Sequence, residues 1–84
     1  MSMVQIRLLY FAVLRDIIGE RESTVTLPDG TRAHDVWQML RGRHARLAAY
    51  HQPPMVAINE AYANAGTELQ DGDEPAFIPP VAGG

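Results

Sequence analysis

Cysteine is absent from this 84-residue chain, and so is lysine. The first absence removes disulfides, zinc–thiolate sites, iron–sulfur clusters and thiol nucleophiles together. The second removes Schiff-base chemistry and a P-loop, both of which need an amine. It also leaves no lysine on the chain for an isopeptide link. All seven cations are arginines, at positions 7, 15, 21, 32, 41, 43 and 46. Ser2 and Ser23 are the only serines, and neither has the surroundings of an activated nucleophile. No apolar run approaches the ~20 residues of a bilayer span, and no signal-peptide layout opens the chain. Excess positive charge is lacking too: the formal net charge is −3, a poor footprint for nucleic acid or an anionic membrane. What remains is a 46% hydrophobic chain, long enough for one small domain with a thin core. These features predict a soluble cytoplasmic domain with no nucleic-acid or membrane partner.

Hydrophobic spacing along the chain predicts its elements. Residues 4–11 alternate, with Val4, Ile6, Leu8 and Tyr10 on one face, as a half-buried strand does. The other face turns apolar at Leu9 and Phe11, which predicts cover on both sides at that end. From Ala12 to Ile18 the apolar spacing becomes helical, and Gly19 suits a left-handed cap. Alternation returns over 22–27, followed by a Pro28-Asp29-Gly30 turn. Thr31 is the expected N-cap of the main helix, with Asp35 favourable at its positive end. Ala33, Val36, Trp37 and Leu40 form the expected buried stripe. Gly42 predicts a break in that helix, and residues 43–50 one further turn. Residues 55–59 and 61–63 read as a hairpin around Asn59-Glu60, and residues 75–78 as a last strand with Pro75 at its start or on an edge. The order β-α-β-α-β-β-β predicts an α+β fold: a mixed sheet of about five strands with one main helix packed on it.

Most chemically suggestive residues have an ordinary explanation. His34, His44 and His51 are ten and seven apart, which fits no chelating pattern, and no metal site is expected. Asp71-Gly72-Asp73-Glu74 lacks the ligand order of a calcium loop and reads as a tight acidic turn. No catalytic constellation is present, so the chain is not expected to be an enzyme by itself.

The C-terminal segment stands apart. Residues 1–78 read as the folded domain and 79–84 as an extended tail. Pro79-Pro80 stiffens the tail toward a polyproline conformation. Val81 and Ala82 then narrow it to Gly83 and Gly84, which have no side chain. Six residues span about 20 Å, enough to thread a narrow channel in another protein. The group delivered is the Gly84 carboxylate, which must be activated before it reacts. Without cysteine, sulfur carried by this chain would have to sit there, as a thiocarboxylate.

Tyr10-Phe11-Ala12, Leu14-Arg15, Gly19, Asp71-Gly72-Asp73-Glu74 and Phe77-Ile78-Pro79-Pro80-Val81-Ala82-Gly83-Gly84 together resemble the small-subunit (MoaD) family of molybdopterin synthase, over nearly the whole chain. The resemblance implies a β-grasp, ubiquitin-like fold. It also implies that an E1-like enzyme adenylates Gly84 with ATP and that a sulfur donor converts it to a thiocarboxylate. The tail then enters the large, catalytic subunit of a heterotetramer and gives sulfur to cyclic pyranopterin monophosphate, building molybdopterin for the molybdenum cofactor. No cofactor is bound by the small subunit itself. Gly83 and Gly84 match the inserted end, Pro79, Pro80, Val81 and Ala82 the tail behind it, and Phe77 and Arg15 the partner surface. Pro75 stands where the family usually has a β-branched residue, which predicts a shortened or distorted last strand. Ala61 follows Asn59-Glu60 where a hairpin glycine is common. The rival readings are a sulfur carrier for cysteine, thiazole or tRNA thiolation, a ubiquitin-like modifier, and an interaction module whose tail is idle.

Overall fold

The computed structural model describes residues 2–50 and 54–78. Strand β1 (Met3–Leu9) leads through a helical segment, α1 (Ala12–Ile18), into β2 (Glu22–Pro28). Ala12 takes φ +49° to turn the chain out of the strand, and Gly19 closes α1 in the left-handed region at φ +85°. The main helix α2 (Ala33–Arg43) and a short 3-10 helix (Ala45–Ala49) follow. Strands β3 (Met55–Ile58), β4 (Ala61–Ala63) and β5 (Pro75–Ile78) complete the sheet, whose order is β2-β1-β5-β3-β4. β1 and β5 are parallel and every other pairing is antiparallel. The α+β architecture, five strands with one main helix, is the one the spacing predicts.

One face of the sheet packs on α2. Val4, Ile6, Leu8 and Tyr10 from β1 and its end meet the Ala33, Val36, Trp37 and Leu40 stripe, and all eight are buried. Phe77 from β5 joins them with its ring 5.5 Å from that of Trp37 at a 42° tilt, an offset geometry that aromatic quadrupoles favour. Leu14, Leu47 and Leu69 close the ends of this core. Leu69 belongs to a long connection, pinned by its N–H donating to the Thr31 carbonyl at 2.9 Å.

Several local expectations are corrected. The first strand ends at Leu9, and the cover expected at that end is partial: Leu9 is half-buried and Phe11 is 56% exposed, because the main helix packs on the face that carries Val4, Ile6, Leu8 and Tyr10. The N-cap of α2 is Arg32, not Thr31. The Thr31 hydroxyl instead donates back to the Pro28 carbonyl at 2.6 Å, finishing the preceding turn. Asp35 accepts the Arg32 N–H at 3.0 Å, satisfying a donor at the helix start. Helix α2 passes through Gly42 and stops one residue later, with His44 as its C-cap.

The hairpin falls where expected, with Asn59 and Glu60 at φ +54° and +72°. Positive φ at both central residues is what a two-residue turn between twisted strands requires. Pro75 is the first residue of β5 and is buried. The Asn59 N–H donates to the Glu74 carbonyl, so alternation along the ladder points the ring nitrogen of Pro75 toward β1. Pairing of β5 with β1 is accordingly confined to Leu9–Ala76, while β5 is regular against β3 over its whole length.

Residues 71–74 form a hydrogen-bonded turn, as expected. Asp71 Oδ1 accepts the Gln5 N–H and Asp73 Oδ2 the Gln70 N–H, both at 2.7 Å. Asn59 Nδ2 donates to Asp73 Oδ1, and Asn59 Oδ1 accepts the Glu74 N–H, both at 2.9 Å. The carboxylates at 71 and 73 are acceptors for backbone and amide donors. Among the described residues, no three His, Cys, Asp or Glu side chains converge on a metal position.

Candidate functional site: the open face of the sheet

Strand alternation divides each strand between the helix-covered face and an open one. Val56 faces Phe77 across the β3–β5 ladder, so both belong to the core side and their neighbours point the other way. Leu9, Ala76, Ala57 and Tyr62 then fall in a single row across four strands, through the pairs Leu9–Ala76, Ala57–Ala76 and Ala57–Tyr62. Ile78 and Met55 pair in the next row. Phe11, two residues past Leu9 in extended backbone, continues the same side. The large side chains at its margins stay in water, with Phe11 and Met55 each 56% exposed, Tyr62 73% and Ile78 39%, while Leu9 and Ala57 are half-buried and Ala76 is buried. A group of large apolar side chains on one face of so small a domain marks an interaction surface.

The patch has a charged border toward β2. Glu22 lies opposite Leu9 in the β1–β2 register, and Arg7 Nε lies 3.2 Å from a Glu22 carboxylate oxygen. The same guanidinium also pairs with Glu74. One arginine thus holds two carboxylates, which keeps them turned toward β1.

The expected partner-surface residues separate here. Arg15 is exposed on α1 and lines a shallow concavity with Leu9, Phe11, Arg21 and Glu22, at the rim of the patch. Phe77 does not reach the surface: it is 2% exposed, because β5 is central and residue 77 has the parity of the core face. Ile78 takes the surface position expected of Phe77. Sequence reasoning missed Met55, Tyr62 and Ile78. Alternation about Val56 could have pointed to Met55 and the hairpin register to Tyr62, but Pro75-Ala76-Phe77-Ile78 is apolar throughout and carries no sign of parity. Pro79, Pro80, Val81, Ala82, Gly83 and Gly84 lie outside the described residues, as does His51. β5 ends at Ile78, so the chain passes from the patch directly into that segment.

The histidines within the described residues have separate surroundings. His34 Nδ1 lies 3.6 Å from an Asp35 oxygen on the solvent side of α2, and His44 caps the same helix. The Tyr10 phenol has a displaced pKa. Burial pushes its phenol above the ordinary value, partly opposed by a hydrogen bond with Ser23 Oγ at 2.5 Å. Its ring is buried on the core side of the sheet, and the residue also lines the concavity at the rim of the patch.

A family model described as the ThiS family matches residues 8–84. The chain belongs to the ThiS family. Among relatives, it is 36% identical over 83 residues to the human molybdopterin synthase sulfur carrier subunit, covering 95% of this chain and 94% of the human one. Its fold is the ubiquitin-like β-grasp. A Pyrococcus furiosus structure assigned as molybdopterin converting factor subunit 1 superposes with a TM-score of 0.80 at 29% identity, covering 93% of this chain and 99% of that one. The small archaeal modifier protein 1 of Haloferax volcanii gives 0.77 at 26% identity, again covering 93% and 99%. The family match extends over the Gly83-Gly84 end of the chain.

Proposed function

We propose that this ThiS-family chain is the sulfur carrier subunit of a molybdopterin synthase and that Gly84 is its working residue. The observation that carries the reading is the Gly83-Gly84 motif on a chain 36% identical to the human sulfur carrier subunit. An adenylating enzyme joins the Gly84 carboxylate to the AMP of ATP, releasing pyrophosphate. A sulfide-level donor then displaces AMP, leaving a thiocarboxylate. Its sulfur attacks cyclic pyranopterin monophosphate on the large subunit, and hydrolysis returns Gly84 to a carboxylate. The chain supplies no general acid or base to these steps, and catalysis belongs to the large subunit. Glycine at 83 and 84 allows close approach of backbone to a partner channel, where any Cβ would collide.

Phe11, Met55, Tyr62 and Ile78 dock this subunit on the large one, with Arg15 at the rim. Supporting this are their exposure and the position of Ile78 immediately before the tail. Two such small subunits would occupy opposite ends of a large-subunit dimer.

The test is intact-mass spectrometry of the protein from its own cells, followed by reconstitution with the large subunit. Exchange of one Gly84 carboxyl oxygen for sulfur, and molybdopterin formation lost on deleting Gly84, is the expected result. Activity retained without Gly84 overturns the reading. Adducts joined through Gly84 to lysines of other proteins, with no thiocarboxylate, would replace it with a ubiquitin-like modifier.

A further inference from the structure

The rim of the open face is not electrically uniform. Leu9, Tyr10, Phe11, Arg15, Arg21 and Glu22 line a shallow notch of about 390 Å³. Glu22, its one carboxylate, is already engaged by Arg7 from outside the notch. Arg15 and Arg21 make no ion pair or side-chain hydrogen bond among the described residues. Their backbones are nevertheless held firmly. The Arg15 carbonyl accepts the Gly19 N–H at the end of α1, and the Arg21 carbonyl accepts the Tyr10 N–H, both at 2.8 Å. Two guanidinium groups therefore rise from fixed positions on either side of the α1–β2 turn, beside Leu9 and Phe11. Asp16 and Glu20 adjoin the two arginines in sequence, but neither lines the notch, and Glu20 lines the concavity on the other side. Within the notch two guanidinium groups stand against one carboxylate, already paired with Arg7, beside an apolar patch.

We propose that Arg21, acting with Arg15, is a specificity-determining residue for the large subunit: the notch takes a partner segment carrying a carboxylate next to an apolar side chain. The carboxylate lies between the two guanidinium groups, and the apolar side chain rests on Leu9 and Phe11. Charge-assisted hydrogen bonds to arginine combine strength with directional selection, and charge at an interface rim steers encounter and excludes wrong partners. This inference rests on the docking reading above and adds the chemistry of the partner.

The test is calorimetric titration of the full chain with the purified large subunit at several salt concentrations. Arg21→Glu should weaken binding at least about tenfold and flatten its salt dependence. Arg21→Gln should weaken it less, and Arg43→Glu, at the concavity on the other side of the sheet, should leave it within about twofold. Thermal melts of each variant should match the parent, since both arginines are exposed. If Tyr62→Asp abolishes binding while Arg21→Glu leaves it and its salt slope unchanged, the notch assignment is overturned and the docking reading stands. If neither substitution changes binding, the docking reading fails as well. Sedimentation of the isolated chain covers the remaining occupant: an Arg21-dependent dimer, with large-subunit binding unaffected, assigns the notch to a second copy and overturns the proposal.

Discussion

Phe77 and Ile78 are adjacent, apolar and on one strand, yet one lies against Trp37 in the core and the other stands in water. Val56 and Met55 divide in the same way, as do Ala63 and Tyr62. The sheet has a single layer of helix to cover it, so alternate residues meet either α2 or solvent. On the covered face apolar side chains lower the free energy of folding at about 25 cal/mol per Å² removed from water. On the open face the same side chains remain in water and give the isolated domain little stability; under the proposed function their burial would come with the partner. The contrast teaches that residue type alone does not separate stability from function in this domain; the parity of the strand does.

The sharpest way to break that division is on the covered face. Phe77→Ala should cost about 3–5 kcal/mol, the usual loss for a large buried aromatic, and should be read by denaturant melts. A near-parental midpoint would mean that Phe77 is not a core residue. The companion change is Tyr62→Asp on the open face. Stability should stay within about 0.5 kcal/mol, while affinity for the large subunit should fall by about 2 kcal/mol or more, as for a buried aromatic anchor. Calorimetry together with a melt reads both, and a stability loss without a binding loss would reverse the assignment of the faces.

Smaller effects refine the picture. Glu60→Gly should stabilise the domain by about 0.5–1 kcal/mol, because Glu60 is a non-glycine residue at φ +72° and glycine carries no Cβ penalty there. An unchanged or lower midpoint would show that this turn is not strained. Tyr10 offers the slightest signal, in pH dependence. Its folded-state pKa is raised by burial, so the folded protein binds the phenolic proton more tightly than the unfolded chain. The contribution is full below the unfolded value of about 10 and is lost as pH rises from there through the folded value. Chemical melts across that range should show an alkaline decline that Tyr10→Phe reduces.

Much of the architecture was legible from spacing. The α2 stripe of Ala33, Val36, Trp37 and Leu40 is buried as its helical period predicts, since one face of a lone amphipathic helix has only the sheet to meet. Strands β3, β4 and β5 and the Asn59-Glu60 turn fell within a residue of their expected bounds, because alternation and turn chemistry are local. The N-cap was misplaced by one residue because the Thr31 hydroxyl had a competing acceptor in Pro28, formed by the preceding turn.

The chemistry proposed for the C-terminus rests on the Gly83-Gly84 motif and the family resemblance, not on tertiary structure. In a chain without cysteine, the Gly84 carboxylate is where sulfur would sit if the chain carries it, as the family resemblance implies. Which apolar residues face outward was decided elsewhere. The four apolar residues of β5 hold no periodic signal, so only their register against β3 showed that Ile78, not Phe77, faces outward. The notch beside Phe11 likewise needed the fold. Arg15 and Arg21 lie on opposite sides of the α1–β2 turn, and Glu22 between them and Arg7 is neutralised only because β1 lies alongside β2. Local periodicity specifies elements, whereas faces and charge neighbours depend on which strands pair, and that is a non-local choice made in folding.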